Sequence, residues 1–171
     1  SLHMSPKRCS ILLLCLLPVV ASAEQIRPGL WEFTGTMQSN GQAMPDMQQM
    51  LGQLQNLPPE QRQMMEQMMA QQGVKLGGSG VQLCLSEAQA KARDIPLQDP
   101  DSGCTHEITE RGEDVWKFRF TCPDGQGEGE TRFEGDTAFS TQVNGVYGGR
   151  PCSMRSQARW ISADCGGLQP R

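Results

Sequence analysis

Apolar and polar residues alternate through Trp31-Glu32-Phe33-Thr34-Gly35-Thr36-Met37, with Pro28-Gly29 as punctuation ahead of them. A period of two is the mark of a half-buried strand, and this segment is the predicted first strand. Beyond a turn at Asn40-Gly41 the period changes. Met44, Met47, Met50, Leu51, Leu54 and Leu57 recur at three- and four-residue spacing, which predicts an amphipathic helix ending before Pro58-Pro59. Pro59 fits the first turn of a second helix, down one side of which Met64, Met65, Met68 and Met69 form a double stripe, with Gln61, Gln63, Gln67 and Gln71 around the rest. Gly73 is the predicted stop and Gly77 to Gly80 a flexible link to a short strand, Val81 to Leu85. Ser86-Glu87-Ala88-Gln89 then matches a capping box, which predicts a short helix through about Arg93.

After a loop over Asp99 to Gly103 the pattern becomes that of hairpins. A turn centred on Gly112-Glu113-Asp114 sets opposite one another the residues whose numbers sum to 226. That register pairs Cys104 with Cys122, His106 with Phe120, Ile108 with Phe118 and Glu110 with Trp116 on a largely apolar face. On the charged face, Glu107 meets Arg119 and Thr109 meets Lys117. A second hairpin, Gly127 to Phe133 and Ala138 to Val146 around Glu134-Gly135-Asp136, sets Phe133 opposite Phe139 and Thr131 opposite Thr141. A last strand runs from about Ser153 to Ile161. The predicted fold class is α+β and mainly antiparallel β. It is a meander of about seven strands forming a half-open barrel or curved sheet, with a Met/Gln-rich helical hairpin, about 44–72, inserted after strand one as a lid or plug for the concave face.

The first residues read as processing signals. Ser1-Leu2-His3 has the look of a tag remnant before Met4. Lys7-Arg8, the apolar run Ile11 to Val20 and Ala21-Ser22-Ala23 then predict a cleaved signal peptide over 4–23. The single mature domain is expected to span 24–171, beginning near Glu24, with a periplasmic or secreted destination. Cys15 lacks a lipobox context, and no other apolar run is long enough to span a membrane. The formal charge of -4 grows more negative once Lys7 and Arg8 leave, so attraction to nucleic acid or to anionic lipid headgroups is not expected. In an oxidising compartment four of the five later cysteines should pair. The hairpin register favours Cys104 with Cys122, and Cys84 with Cys165 is expected as the second bridge, leaving Cys152 over. The sequence also leaves open the pairing of Cys152 with Cys165 or with Cys84.

Arg27-Pro28-Gly29-Leu30-Trp31-Glu32 behind a signal peptide, the Met-rich helix with Leu57-Pro58-Pro59-Glu60-Gln61, Cys84-Leu85-Ser86-Glu87-Ala88-Gln89 and the later Cys104, Cys122 and Cys165 carry a resemblance. Together they resemble the bacterial exported family catalogued as domain of unknown function 3617, over nearly all of the mature chain. The resemblance implies an exported four-cysteine domain and supplies no catalytic residues. Cys152 stands outside that four-cysteine pattern.

Chemistry is sparse along the chain. His106 is the sole histidine after the signal, no G-x-S-x-G elbow is present, and no helix follows Gly125-Gln126-Gly127 to make a phosphate loop. Glu128 and Glu130 read as a solvated face. No enzyme is expected. Seven of the 10 methionines fall between Met44 and Met69, and thioethers are soft ligands that suit Cu(I) or Ag(I). One reading is therefore a soft-metal site from Met44, Met47, Met50, Met64, Met65, Met68 and Met69. The plainer reading is that methionine fills irregular space between helices and sheet. A groove with the methionine stripe as one wall and Trp31, Phe33, Trp116, Phe118 and Trp160, with Phe133 and Phe139, as the other would take an apolar small molecule or a hydrophobic protein segment; with few aromatics in the chain, a filled core is the competing account. The favoured function is a non-enzymatic periplasmic binding protein of the bacterial cell envelope for an apolar ligand. No cofactor is expected on that reading; Cu(I) binding is the alternative, and an accessory envelope role without a small ligand is the third.

Overall fold

The structure, a computed structural model, describes residues 25–95 and 102–171. The expected tag, signal peptide and cleavage site, and most of the Asp99 to Gly103 loop, lie outside the described residues. The chain runs through β1 (Gly29–Ser39), β2 (Gln42–Ala43), α1 (Met47–Gln55), α2 (Pro59–Gln71), β3 (Val74–Leu76), β4 (Val81–Leu85) and α3 (Glu87–Ala92). It then continues through β5 (Thr105–Arg111), β6 (Val115–Cys122), β7 (Gly125–Glu134), β8 (Ala138–Tyr147) and β9 (Arg150–Ser162). All nine strands belong to one antiparallel sheet in the order β3-β4-β1-β9-β8-β7-β6-β5, with β2 paired to the end of β1. β3 and β5 are its free edges, so the sheet is not closed into a barrel. The C-terminal strands form the expected meander, while β1 lies in the middle, between β4 and β9.

The two strands beyond the expected seven are short. Gln42-Ala43 pairs back on Gln38-Ser39 through the turn at Asn40-Gly41. Val74 to Leu76 pairs with Leu83 to Val81, so the Gly77 to Gly80 segment is a tight hairpin turn rather than a flexible link. Its ends are closed by a bond from Gly77 N–H to the Gly80 carbonyl, 2.7 Å. The first helix also starts later than its methionine spacing suggests. Asp46 caps it by accepting from Gln49 N–H at 2.7 Å, so Met44 lies outside the helix and donates instead to the Met37 carbonyl at 2.9 Å. The Ser86 capping box forms as expected, and α3 ends at Arg93, which takes the left-handed conformation with φ 52°.

Both expected disulfides are present, Cys104 to Cys122 within the first hairpin and Cys84 to Cys165 joining β4 to the tail beyond β9. The register of the first hairpin follows the sum of 226 from Thr105 through Ile108 and then breaks. A bulge at Thr109 sets Glu110 opposite Lys117 and Arg111 opposite Trp116, so the expected pairs Glu110 with Trp116 and Thr109 with Lys117 do not form. The second hairpin keeps its expected register throughout.

The Arg27 to Glu32 segment is a structural anchor, every residue of which is tied down. Arg27 pairs with Asp136 at the β7–β8 turn at 2.8 Å, and its carbonyl accepts from the Trp31 indole at 2.8 Å. The Pro28 carbonyl accepts from the Trp160 indole at 3.0 Å. Gly29, at φ +124°, lies so close to the Ser162 carbonyl that a Cβ would collide with it. Trp31 is completely buried. Glu32, only 5% exposed on the outer face, accepts from the Ser79 hydroxyl and from the Gln82 amide at 3.0 Å, with Arg159 at 3.6 Å. The Ser79 hydrogen bond is the largest influence holding the Glu32 carboxyl below its ordinary value; burial opposes it, and Gln82 and Arg159 reinforce it.

Candidate functional site

Strand register sorts the inward side chains into rows across the sheet. Phe33, Ala158, Phe139 and Phe133 make one row, and all four are buried. Trp31 packs beside them with its ring centre 5.0 Å from that of Phe139. Ile26, Leu83, Leu85 and Ala90 of α3 complete this core. Across β1, β9, β8 and β7 the next row is small or polar, Gly35, Ser156, Thr141 and Thr131, with the two threonine hydroxyls hydrogen-bonded at 3.1 Å; on β6 it ends in Trp116. Beyond this divider lie Met37, Met154, Val143, Gly129 and Phe118, then Ser39, Cys152, Gly145, Gly127 and Phe120.

Those last two rows leave an apolar groove of about 440 Å³, within the ordinary range of ligand pockets. Its floor exists because β7 carries glycine at alternate positions. A Cβ on Gly127 would stand 2.6 Å from Cζ of Phe120, and one on Gly129 2.6 Å from Cζ of Phe118. The tips of both rings, which are themselves buried, therefore rest over bare backbone, where any larger residue would displace them. Val143 and Met154 line one side and Met37, 43% exposed, sits at the rim. His106 borders the groove with its ring centre 5.1 Å from that of Phe118, and Tyr147 is exposed at the far end. Among the described cysteines Cys152 alone is outside a disulfide; its half-buried thiol faces the groove, 3.8 Å from the Ser39 hydroxyl.

The expected apolar wall divides between two places. Of Trp31, Phe33, Trp116, Phe118 and Trp160, only Phe118 lines the groove. Trp31 and Phe33 belong to the filled core, and Trp116 and Trp160 pack against its edge. The methionine cluster is spread as well. Met44, Met50, Met64 and Met68 are exposed, whereas Met47, Met65 and Met69 are half-buried. No residue of α2 is buried, and α1 buries only Leu51. The two helices pack against β1 and β3, and no methionine is part of the core cluster among the described residues. The cover of the filled core is thus α3, not the Met-rich pair. The groove residues missed by the sequence reading include Met37, His106, Phe120, Val143, Cys152 and Met154. The legible signal was the alternation of Gly125, Gly127 and Gly129 in a strand, which marks a close approach of something large.

The outer face is charge-matched. Glu107 pairs with Arg119 at 3.4 Å and Glu110 with Lys117 at 3.3 Å, and by register Glu128 and Glu130 lie across from the same two cations. Among the described residues no three His, Cys, Asp or Glu side chains form a metal-binding group, and no helix is long and apolar enough to cross a membrane.

A sequence profile described as "Protein of unknown function (DUF3617)" matches residues 26–165. A Pseudomonas putida protein described as "Uncharacterized protein in lpd-3 5'region" is 56% identical over 115 residues, which cover 67% of this chain and 81% of that protein. No solved structure matches the chain. The match spans the Arg27 to Glu32 anchor, both disulfides and the whole sheet, and the chain belongs to the DUF3617 family.

Proposed function

We propose that this chain is a non-enzymatic binding protein of the bacterial cell envelope that holds an apolar ligand in the groove over Phe118 and Phe120. The observation that carries the reading is the contrast between an unfilled apolar groove and a fully packed core on the same face of the same sheet. The floor rings Phe118 and Phe120 are buried, and the apolar surface left to solvent lies around them, Met37 and Tyr147 the most exposed; a covering ligand would take it out of water. The two disulfides and the apolar N-terminal segment ahead of Ala21-Ser22-Ala23 support an exported, periplasmic setting.

The test is binding of Nile red, a neutral dye whose emission brightens and shifts blue in apolar surroundings. The exported protein should light the dye up, and Val143→Trp, which fills the groove from β8, should abolish the signal at an unchanged melting temperature. Equal dye binding by both proteins, or none by the natural chain, would sink the reading.

A further inference from the structure

The bulge at Thr109 decides which charge reaches the concave face. With unbroken alternation Glu110 would meet Trp116 from the inside. The extra residue instead turns Glu110 to the outer surface, where it pairs with Lys117, and brings Arg111 opposite Trp116. A shift of one residue sends every later side chain of a strand to the other face, and bulges re-aim side chains in this way. The Arg111 guanidinium carbon stands 5.4 Å from the centre of the Trp116 ring. Arg93, at the end of α3, reaches the same indole at 5.4 Å and the Phe133 ring at 4.1 Å, while donating to the Glu113 carbonyl at 3.1 Å. Two guanidinium groups thus converge on one indole in a chain whose formal charge is -4.

A second cavity, of about 320 Å³, lies at this place, walled by Arg93, Arg111 and Trp116, with exposed Asp94 also on its lining. His106 and Phe118 line both this cavity and the apolar groove, so the two are neighbours across one tilted pair of rings. An apolar groove beside a cavity walled by two guanidinium groups and one carboxylate has the charge pattern of an amphiphile. Resting on the apolar-groove reading above, we propose that the occupant is a single-chain amphiphile with a compact anionic head, a carboxylate or a phosphate. Its chain lies over Phe118, Phe120, Val143 and Met154, and its head meets Arg111. A guanidinium offers paired N–H donors that match either oxyanion, and such charge-assisted bonds are stronger than neutral ones. Arg111 is exposed, so it accepts the head without first burying a charge.

The experiment is displacement of Nile red from the exported protein by palmitate, hexadecyl phosphate and hexadecanol, which share one chain and differ in the head. The natural chain should bind one or both anions about tenfold more tightly than the alcohol, the scale of one charge-assisted hydrogen bond. Which anion leads identifies the head. Arg111→Gln should bring the anions down to the level of the alcohol and leave the alcohol unchanged; Arg111→Lys should keep part of the preference. Glu110→Gln, one residue away but on the outer face, should change nothing. Equal binding of anions and alcohol by the natural chain, or a preference that survives Arg111→Gln, overturns this inference while the apolar groove stands. Failure of all three to displace dye that Val143→Trp shows to be in the groove overturns this inference alone, whereas dye that never binds there sinks the groove reading beneath it.

Discussion

The two halves of the concave face share one sheet and one alternation of inward and outward residues, yet one half is solid and the other open. In the solid half, Phe33, Phe133, Phe139 and Trp31 meet across the strands, and Ile26 and Ala90 close over them. In the open half the rows beyond carry Gly127, Gly129 and Gly145, and the aromatic rings of Phe118 and Phe120 reach over the first two instead of meeting other side chains across the strands. The row of Gly35, Ser156, Thr141 and Thr131 marks the change. Cavities in this sheet are therefore set by side-chain volume at fixed register, not by a change of fold.

The contrast breaks most severely from the solid side. Phe139→Ala removes a ring that is 2% exposed and touches both Trp31 and Phe133, and it should cost about 3–5 kcal/mol in denaturant unfolding. A loss below about 1 kcal/mol would mean that the two halves are equally loose. Gly129→Val attacks the floor of the open half. It should lift Phe118 into the groove, cost about 1–3 kcal/mol and end Nile red binding; a variant that still binds dye would show that the glycine stripe does not make the floor.

Acid probes the clamp on the outer side of β1. The Glu32 carboxyl is held below its ordinary value of 4.5, so its contribution is complete above that pH and fades as the pH falls through the lowered folded value. The natural chain's melting-temperature advantage over Glu32→Gln should accordingly shrink as the pH drops below about 4.5. An advantage that stays constant down to low pH would remove the charge of Glu32 from the account.

Much of this was legible in one dimension. The Phe133 and Phe139 pairing, the Cys104 to Cys122 bridge and the Ser86 capping box are local features, set by residues a few positions apart through a turn or a helix start. What was not legible involves residues brought together over long distances. Trp31 and Phe33 have the composition of a binding wall, and only the position of β1 between β4 and β9 shows them to be core. The methionine spacing predicts helices correctly, and it says nothing about whether those helices cover the sheet. The bulge at Thr109 leaves no clear trace in the alternation of β5, because Thr109, Glu110 and Arg111 are all polar and fit either face.

The amino-acid sequence by itself determined the seven longer strands, the register of the second hairpin, the Cys104 to Cys122 bridge and the family, because each rests on short-range periodicity, turn chemistry or a run of matched residues. The tertiary structure alone decided which half of the face is filled, and that an arginine rather than a glutamate stands against Trp116. Those outcomes depend on volumes and charges summed across five strands and a helix, and on one unpaired residue that reverses the facing of its neighbours. Local pattern carries no record of either.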